Sequence, residues 1–268
     1  MAQHIDRRKA LAVFGSVGLG AVVAAACGGG SSDAAQSTDR TAATSTSTTT
    51  VASGGSGGAA ARSAGAITTD MFDASTACSL SPEETEGPYW FDVDSVRSDI
   101  REDETGSNLR LGIRVRDASS CAPLPSSVVE VWHADAEGNY SGFDSGSSGG
   151  GPGGGSGSLS GTTYLRGSQV TNADGIVEFL TVYPGWYPGR TVHIHAKVHL
   201  DNSTLLTTQL FFAEDFTDSI YTQPPYASRG TRSTRNSDDN IFDDRLLLTQ
   251  SKDGDGSIGL ITLDVDAG

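Results

Sequence analysis

The stretch Thr181-Val-Tyr-Pro-Gly-Trp-Tyr-Pro-Gly-Arg-Thr-Val-His-Ile-His195 ends in two histidines separated by one residue. If residues 191–200 form a β-strand, successive side chains point to opposite faces. The polar side chains then share one face: His193, His195, Lys197 and His199. The apolar side chains share the other: Val192, Ile194, Ala196, Val198 and Leu200. The pattern predicts that the apolar face packs against the core.

Two imidazoles stand one strand repeat apart on the polar face. A pair at that spacing can bind one metal ion. The same pair also occurs as a solvated or hydrogen-bonded surface feature, so His193 and His195 alone leave both interpretations open. The neighbouring Tyr187 and Arg190, and Tyr140 further upstream, favour the metal site.

Other segments also have the pattern of short strands. Apolar residues alternate with arginines and a glycine from Leu109 to Arg116, which predicts a strand with one buried face. A second strand includes Val129 and Val131 and ends at Trp132-His133. Residues 169–182 indicate a strand, a turn at Asn172-Ala-Asp-Gly175 and another strand. Two more strands are predicted over residues 205–212 and 258–265.

The segments between these strands have the composition of loops. Residues 144–161 are mostly Gly and Ser and predict a long flexible loop. Residues 213–240 are polar and are predicted to be irregular. Asp253-Gly-Asp-Gly256 lacks the spacing of an EF-hand loop, so a hairpin turn is favoured over a calcium site. Short strands with few helical patterns predict an all-β fold, a two-sheet β-sandwich of the immunoglobulin-like or Greek-key type with long irregular loops.

The N-terminus has the features of an export signal rather than of a folded element. Residues 1–26 combine Asp6-Arg-Arg-Lys9 with an apolar run, and the twin arginine indicates the route that exports folded proteins. An ordinary secretory signal is the alternative. Cys27 follows three alanines and precedes Gly28, which resembles a bacterial lipoprotein cleavage site. Lipidation there would anchor the protein to a membrane, whereas plain cleavage would release it.

Residues 27–68 are rich in Gly, Ser and Thr and predict a flexible tether. About 40 such residues reach roughly 35 Å on average. The predicted folded domain covers residues 69–268. Removing residues 1–26 leaves 15 basic and 32 acidic residues, a net charge of −17, which argues against nucleic-acid binding.

With Cys27 assigned to the lipid, two cysteines remain, Cys78 and Cys121. An even number in an exported protein predicts a disulfide, with two buried free thiols as the alternative.

Several segments, in order, resemble the intradiol ring-cleavage dioxygenases, the relatives of catechol and protocatechuate dioxygenases. The matching segments are Thr85–Tyr89, Trp132–Tyr140, Val170–Gly175 and Thr181–Gly185, followed by Tyr187, Arg190, His193, His195 and Gln209. The combination of two tyrosines with Arg-x-x-His-x-His is far more specific than any of its parts. The resemblance covers about residues 78–242.

The resemblance implies a mononuclear, non-haem Fe(III) held by Tyr140, Tyr187, His193 and His195. Phenolates are hard anionic donors, so two of them favour ferric iron, unlike the two-His-one-carboxylate sites that suit Fe(II). The expected reaction is cleavage of catechol-type compounds by O2 to cis,cis-muconate-type products.

Roles for further residues also follow from the resemblance. It implies catalytic roles for Arg190, Gln209 and Tyr187, and a place for Tyr89 in the substrate pocket. Arg190 would stabilise negative charge on the reacting substrate. The structural alternative for Arg190 is an ion pair with one of the many acids. His133 and His199 are not expected to be ligands.

The chain also departs from the best-known members of the family. The interval from Tyr187 to His193 is shorter, Ala196 replaces a common Phe, and no N-terminal dimerisation segment is found. Substrate preference and a homodimer therefore stay open. Two other functions fit parts of the sequence. One is a non-catalytic extracellular binding module with a vestigial or structural metal, which would need neither Arg190 nor Gln209. The other is a copper oxidase, which should have more His or Cys ligands.

Overall fold

The computed structural model describes residues 65–72, 78–143 and 160–268. The predicted export signal, the lipidation of Cys27 and nearly all of the tether lie outside these residues, as does most of the predicted loop at 144–161. Packing against the domain begins at Ile67, which is buried with Phe72, Ile176, Ile258 and Leu260.

Within the described residues, the fold contains eight strands in two four-stranded sheets. The strands are β1 (Asn108–Asp117), β2 (Val128–Trp132), β3 (Arg166–Val170), β4 (Ile176–Val182), β5 (His193–Leu200), β6 (Ser203–Phe211), β7 (Thr249–Asp253) and β8 (Gly256–Val265). One sheet has the order β4-β1-β8-β7 and the other β3-β2-β5-β6. One α-helix, α1, is found in the part of the chain that the structure describes and spans Glu214–Tyr221. The predicted all-β sandwich is confirmed.

Short 3-10 helices cover Thr69–Met71, Tyr226–Arg229, Asn236–Asp238 and Asp244–Leu246. In the described part of the chain, no helix is both long enough and apolar enough to cross a membrane.

The core lies between the two sheets and is built from alternating positions. On β1, Leu109, Leu111, Ile113 and Val115 are all buried, as the pattern predicted. From the opposite sheet, β5 contributes Ile194, Ala196 and Val198. Burying branched side chains from both inner faces is the main favourable term for such a sandwich. Because Ile194, Ala196 and Val198 pack in the core, the alternate residues of β5 lie on the opposite face of the sheet.

The polar face of β5 is buried as well. His193, His195, Lys197 and His199 are all nearly inaccessible, because chain segments outside the sheets cover this face. A buried polar face requires partners for its polar groups. The site described below supplies most of them; among the described residues, the buried His195 Nδ1 atom has no hydrogen-bond partner.

Three expectations about the elements were incomplete or wrong. The predicted turn Asn172–Gly175 forms between two strands, with Gly175 at a φ of 74°, but β3 and β4 belong to different sheets and do not pair with each other, which the sequence pattern did not show. Residues 213–240 are not wholly irregular, because they contain α1. Strand β7 was missed, since its sequence is polar and mostly exposed. It pairs with β8 through the predicted turn, where Asp253 lies opposite Gly256.

A disulfide joins Cys78 to Cys121 across 43 positions of sequence. Closing a loop of this size removes chain entropy worth about 4 kcal/mol from the unfolded state. We therefore expect the double variant Cys78→Ala/Cys121→Ala to lose about 4 kcal/mol of unfolding free energy in urea titrations. A loss below about 1 kcal/mol would show that the disulfide does not stabilise the domain in this way.

Candidate metal centre

Strand β5 brings two imidazoles together. His193 and His195 extend from the same face, and their Nε2 atoms are 3.2 Å apart. The His193 Nδ1 atom lies 2.7 Å from the Thr191 carbonyl oxygen and donates its proton to it. In that tautomer Nε2 keeps its lone pair, which is how a ligating histidine is usually oriented.

A tight turn places Tyr187 beside these histidines. Pro188 and Gly189 occupy the central positions of the turn Tyr187–Arg190, and Gly189 has a φ of 87°. The Arg190 N–H donates to the Tyr187 carbonyl at 3.4 Å. Pro followed by Gly is the signature of a type II turn, which needs a positive φ at its second central residue. The turn sets the Tyr187 hydroxyl 3.1 Å from His193 Nε2.

A second turn, after β2, delivers Tyr140. The Asp135 carboxylate accepts the backbone N–H groups of Glu137 and Asn139, both at 2.8 Å. Gly138 is required, because a Cβ there would lie 2.5 Å from the Trp186 carbonyl oxygen. The Tyr140 hydroxyl then lies 3.4 Å from His193 Nε2 and 3.5 Å from the Tyr187 hydroxyl.

These four donor atoms fit a single metal ion. Metal bonds of about 2.1 Å place neighbouring donors about 3.0 Å apart at right angles and about 3.4 Å apart in a tetrahedron. Four of the six donor separations, those among Tyr140, Tyr187 and His193 and that between His193 and His195, are 3.1–3.5 Å and so lie within about 0.1 Å of this range. The described residues contain no cluster of three or more His, Cys, Asp or Glu side chains suited to a metal. A metal at this position therefore depends on the phenols, which are hard anionic donors when deprotonated.

Burial controls the protonation of these groups. It lowers the pKa of His193 to about 3 and that of His195 well below its usual value, with nearby charges such as Arg190 adding to the effect. Both imidazoles therefore stay neutral and able to bind a metal. Burial also raises the pKa of Tyr187 to about 12 and that of Tyr140 well above 10. A bound cation would have the opposite effect: it would lower the pKa of both tyrosines and favour the phenolates.

Arg190 and Gln209 form a hydrogen-bonded pair at the edge of the centre. The Arg190 Nη2 group donates to Gln209 Oε1 at 2.5 Å, and Arg190 Nε donates to Asp239 Oδ2 at 2.9 Å. Gln209 Nε2 in turn donates to the Thr85 carbonyl at 2.8 Å. Arg190 thus contacts both Gln209, the other residue given a catalytic role, and an acidic partner of the kind that the structural alternative predicted.

The segment Thr85–Trp90 covers the centre and contains Tyr89. The ring of Tyr89 stacks on that of Tyr140, with centroids 4.5 Å apart. Gly87 has a φ of 71°, and a Cβ on it would lie 3.3 Å from His195 Cε1. Lys197 holds the segment through an ion pair with Glu86 and lies 3.7 Å from the ring centroid of Trp90. The predicted ligands, the predicted catalytic residues and Tyr89 are therefore in one region.

Three contributing residues were not identified from the sequence. Asp239 reaches Arg190 from a distant loop, and Trp132 stacks on His195 with ring centroids 4.8 Å apart. Arg166 is buried, donates to the side chain and carbonyl of Ser141 at 2.8 Å each, and lies 4.2 Å over the Phe91 ring. Alternating patterns do not reveal such contacts.

The other two histidines of the described residues, His133 and His199, have partners away from the four donors. His199 Nδ1 lies 3.0 Å from Thr204 Oγ1, and its Nε2 lies 3.5 Å from Glu130 Oε2. His133 Nδ1 donates to the Ala134 carbonyl at 2.8 Å, and its Nε2 accepts from Thr181 Oγ1 at 2.7 Å. Burial lowers the pKa of His133 to about 4.

His133 should make stability depend on pH. The unfolded imidazole takes up a proton near pH 6.5, but the folded one does so only near pH 4. The contribution of His133 to the unfolding free energy is therefore fully present above pH 6.5. It is lost as pH falls from 6.5 to 4, by about 3 kcal/mol in total. We expect the unfolding free energy of the metal-free protein to fall more steeply between pH 6.5 and 4 than that of His133→Gln. Parallel pH profiles would contradict a buried neutral imidazole.

Comparison with known proteins agrees with this geometry. Residues 84–231, more than half of the chain, match the profile of a family described as Dioxygenase. A solved intradiol ring-cleavage dioxygenase from Tetranychus urticae is 33% identical, with a TM-score of 0.64 over 71% of this chain and 97% of that one. The dioxygenase domain of a carbohydrate-binding fusion protein from Streptomyces sp. SirexAA-E is 29% identical, with a TM-score of 0.53 over 71% and 100%.

Curated relatives include a chlorocatechol 1,2-dioxygenase of Rhodococcus opacus, 31% identical over 43% of this chain and 48% of its own length. A catechol 1,2-dioxygenase of Acinetobacter baylyi is 30% identical over 56% of this chain and 51% of its own length. The chain thus spans about half the length of these relatives. Together with the matched profile and fold, the similarity shows that the chain belongs to the intradiol ring-cleavage dioxygenase family.

Proposed function

We propose that this protein catalyses the Fe(III)-dependent intradiol cleavage of catechol-type compounds by O2, giving cis,cis-muconate-type products. The observation that carries the proposal is the convergence of two phenols and a second imidazole on His193: its Nε2 atom lies 3.1 Å from the Tyr187 hydroxyl, 3.4 Å from the Tyr140 hydroxyl and 3.2 Å from His195 Nε2. Arg190 and Gln209 lie beside them. Relatives named for catechol and chlorocatechol cleavage support the substrate class.

Tyr140, Tyr187, His193 and His195 would hold the iron. When bound, ferric iron would withdraw electron density from a chelating catecholate and so activate its ring toward O2. The two tyrosines have different environments. Tyr140 is 0% exposed and packed beneath Tyr89, whereas Tyr187 is 8% exposed and sits on a turn whose Pro188 and Gly189 are exposed. Tyr187 is therefore the phenol that can move aside, and its oxygen would accept a proton from the entering catechol.

Arg190 would contribute electrostatic stabilisation. A catechol that has lost both protons is a dianion, and negative charge must be stabilised as its ring reacts. A guanidinium that is already held in place stabilises such charge without reorganising during the reaction. Gln209 holds one edge of that guanidinium through Nη2. The covering segment Thr85–Trp90 and the burial of the four donors keep water away from them.

The disulfide between Cys78 and Cys121 bears on where this activity takes place. Disulfides persist in oxidising compartments and are rare in the bacterial cytosol. The bond therefore supports the proposal that the domain is exported.

Oxygen uptake tests the proposed reaction. We expect the ferric-loaded protein to consume one O2 per catechol and to place both atoms of labelled O2 in a cis,cis-muconate product. The metal-free and zinc-loaded proteins should be inactive. The proposal would be contradicted if the ferric-loaded protein consumed no O2 with any catechol tested. It would also be contradicted if the bond broken were not the one between the two hydroxylated carbons.

A further inference from the structure

A buried carboxylate, Asp239, holds Arg190 from outside the metal centre. Its side chain is 2% exposed, and its Oδ2 atom accepts Arg190 Nε at 2.9 Å. Gln209 holds Nη2 of the same guanidinium at 2.5 Å. A planar guanidinium gripped at two edges, by groups from two different segments, has lost most of its freedom to rotate. Arg190 is therefore oriented before any substrate arrives.

The same carboxylate also holds the backbone next to Arg190. Asp239 Oδ2 accepts the Thr191 N–H at 2.8 Å, and its Oδ1 accepts the Ile241 N–H at 2.9 Å. Thr191 is held a second time, because its hydroxyl donates to Asn236 Oδ1 at 2.6 Å. The loop around Asp239 is thus joined to the end of the turn that carries Tyr187 and Arg190.

The connection continues to a proposed metal ligand. The Thr191 carbonyl is the group that accepts the His193 Nδ1 proton at 2.7 Å. The Thr191 backbone therefore links the two residues: its N–H group donates to Asp239, and its carbonyl orients His193. Groups that hold ligands and charged side chains in this way tune a site without touching the substrate.

We propose that Asp239 is a positioning residue of this active site, acting through Arg190. The inference rests on the proposed function and adds to it a residue beyond position 231, where the match to the family profile ends. Asp239 aims the guanidinium at the place where negative charge develops on the substrate. It also keeps the turn in register with β5.

The test compares Asp239→Asn with a matched control. Asparagine keeps the size of the side chain but removes the charge that holds Arg190. The control is Asp264→Asn, since Asp264 on β8 is another buried carboxylate, 9% exposed and paired with Arg116 at 2.8 Å, in the other sheet. We expect Asp239→Asn to lower kcat/KM by about 10–100-fold with full iron loading. Asp264→Asn should stay within about twofold of the wild type.

A double variant separates positioning from general damage to the fold. If Asp239 acts mainly through Arg190, it should have a smaller effect once Arg190 is gone. Asp239→Asn should then cost clearly less in an Arg190→Gln background than the about 10–100-fold it costs alone, because only its bond to the Thr191 N–H remains to be lost. The proposal would be overturned if the fold-loss in kcat/KM of the double variant equalled the product of the losses of the two single variants. It would also be overturned if Asp239→Asn alone had the wild-type kcat/KM.

An independent readout keeps this proposal distinct from the proposed reaction. In metal-free 15N-labelled protein, where no paramagnetic iron broadens the nearby signals, the Nε–H group of Arg190, assigned with Arg190→Gln, should give a slowly exchanging resonance. That resonance should be lost in Asp239→Asn and kept in Asp264→Asn. If the wild-type protein does not turn over catechol, the proposed function is contradicted. The NMR spectrum still decides whether Asp239 holds Arg190. An unchanged resonance in Asp239→Asn would overturn the positioning role.

Discussion

His195→Ala should abolish iron-dependent ring cleavage while leaving the protein folded. The substitution removes one of four donors, and the partner donors stay where the rest of the fold places them. A Lewis-acidic metal supplies several kcal/mol of transition-state stabilisation, and about 1.4 kcal/mol corresponds to a factor of ten. We therefore expect activity to fall by at least about 1,000-fold, together with loss of stoichiometric ferric iron in metal analysis.

The control for this experiment is His199→Ala on the same face of the same strand. His199 is buried like His195, but it contacts Thr204 and Glu130 rather than the four donors. This variant should retain one iron per chain. Retention of both iron and activity by His195→Ala would contradict the assignment of His195 as a ligand.

Arg190→Gln should lower kcat with little change in iron content. Removing one preorganised group that stabilises developing charge typically costs about 100–1,000-fold in kcat. Glutamine retains hydrogen-bonding capacity but cannot supply the positive charge. Steady-state kinetics at saturating catechol, with iron quantified in each preparation, measure the effect.

A matched arginine serves as the control for Arg190. Arg110 on β1 is similarly buried, 13% exposed against 17% for Arg190, and is also paired with acidic side chains. Because it belongs to the other sheet, Arg110→Gln should lower stability without lowering kcat by more than about twofold. A wild-type kcat for Arg190→Gln would mean that Arg190 has no catalytic role and serves only in its ion pair with Asp239.

Local sequence patterns predicted the parts of the fold that depend on local chemistry. Alternation along β5 placed His193 and His195 on one face, and Pro followed by Gly produced the turn between Tyr187 and Arg190. Resemblance to the family added Tyr140, which lies 53 positions before His193 and which no local pattern connects to it.

The parts that could not be predicted depend on distant partners. Alternation shows which face of a strand is buried but not which strand lies beside it, so the separation of β3 and β4 into two sheets was not foreseen. Strand β7 is polar and forms only because β8 pairs with it. Asp239 lies 49 positions from Arg190 in a segment of many charged residues, and only the folded chain distinguishes it from its neighbours.

The most direct test of the central claim is the visible spectrum of the ferric-loaded protein before and after anaerobic addition of catechol. Two tyrosinates bound to Fe(III) should give a strong red-brown charge-transfer band. A chelating catechol should shift that band. A protein that stays colourless after loading with ferric iron would contradict the claim that Tyr140, Tyr187, His193 and His195 form the iron site of a dioxygenase.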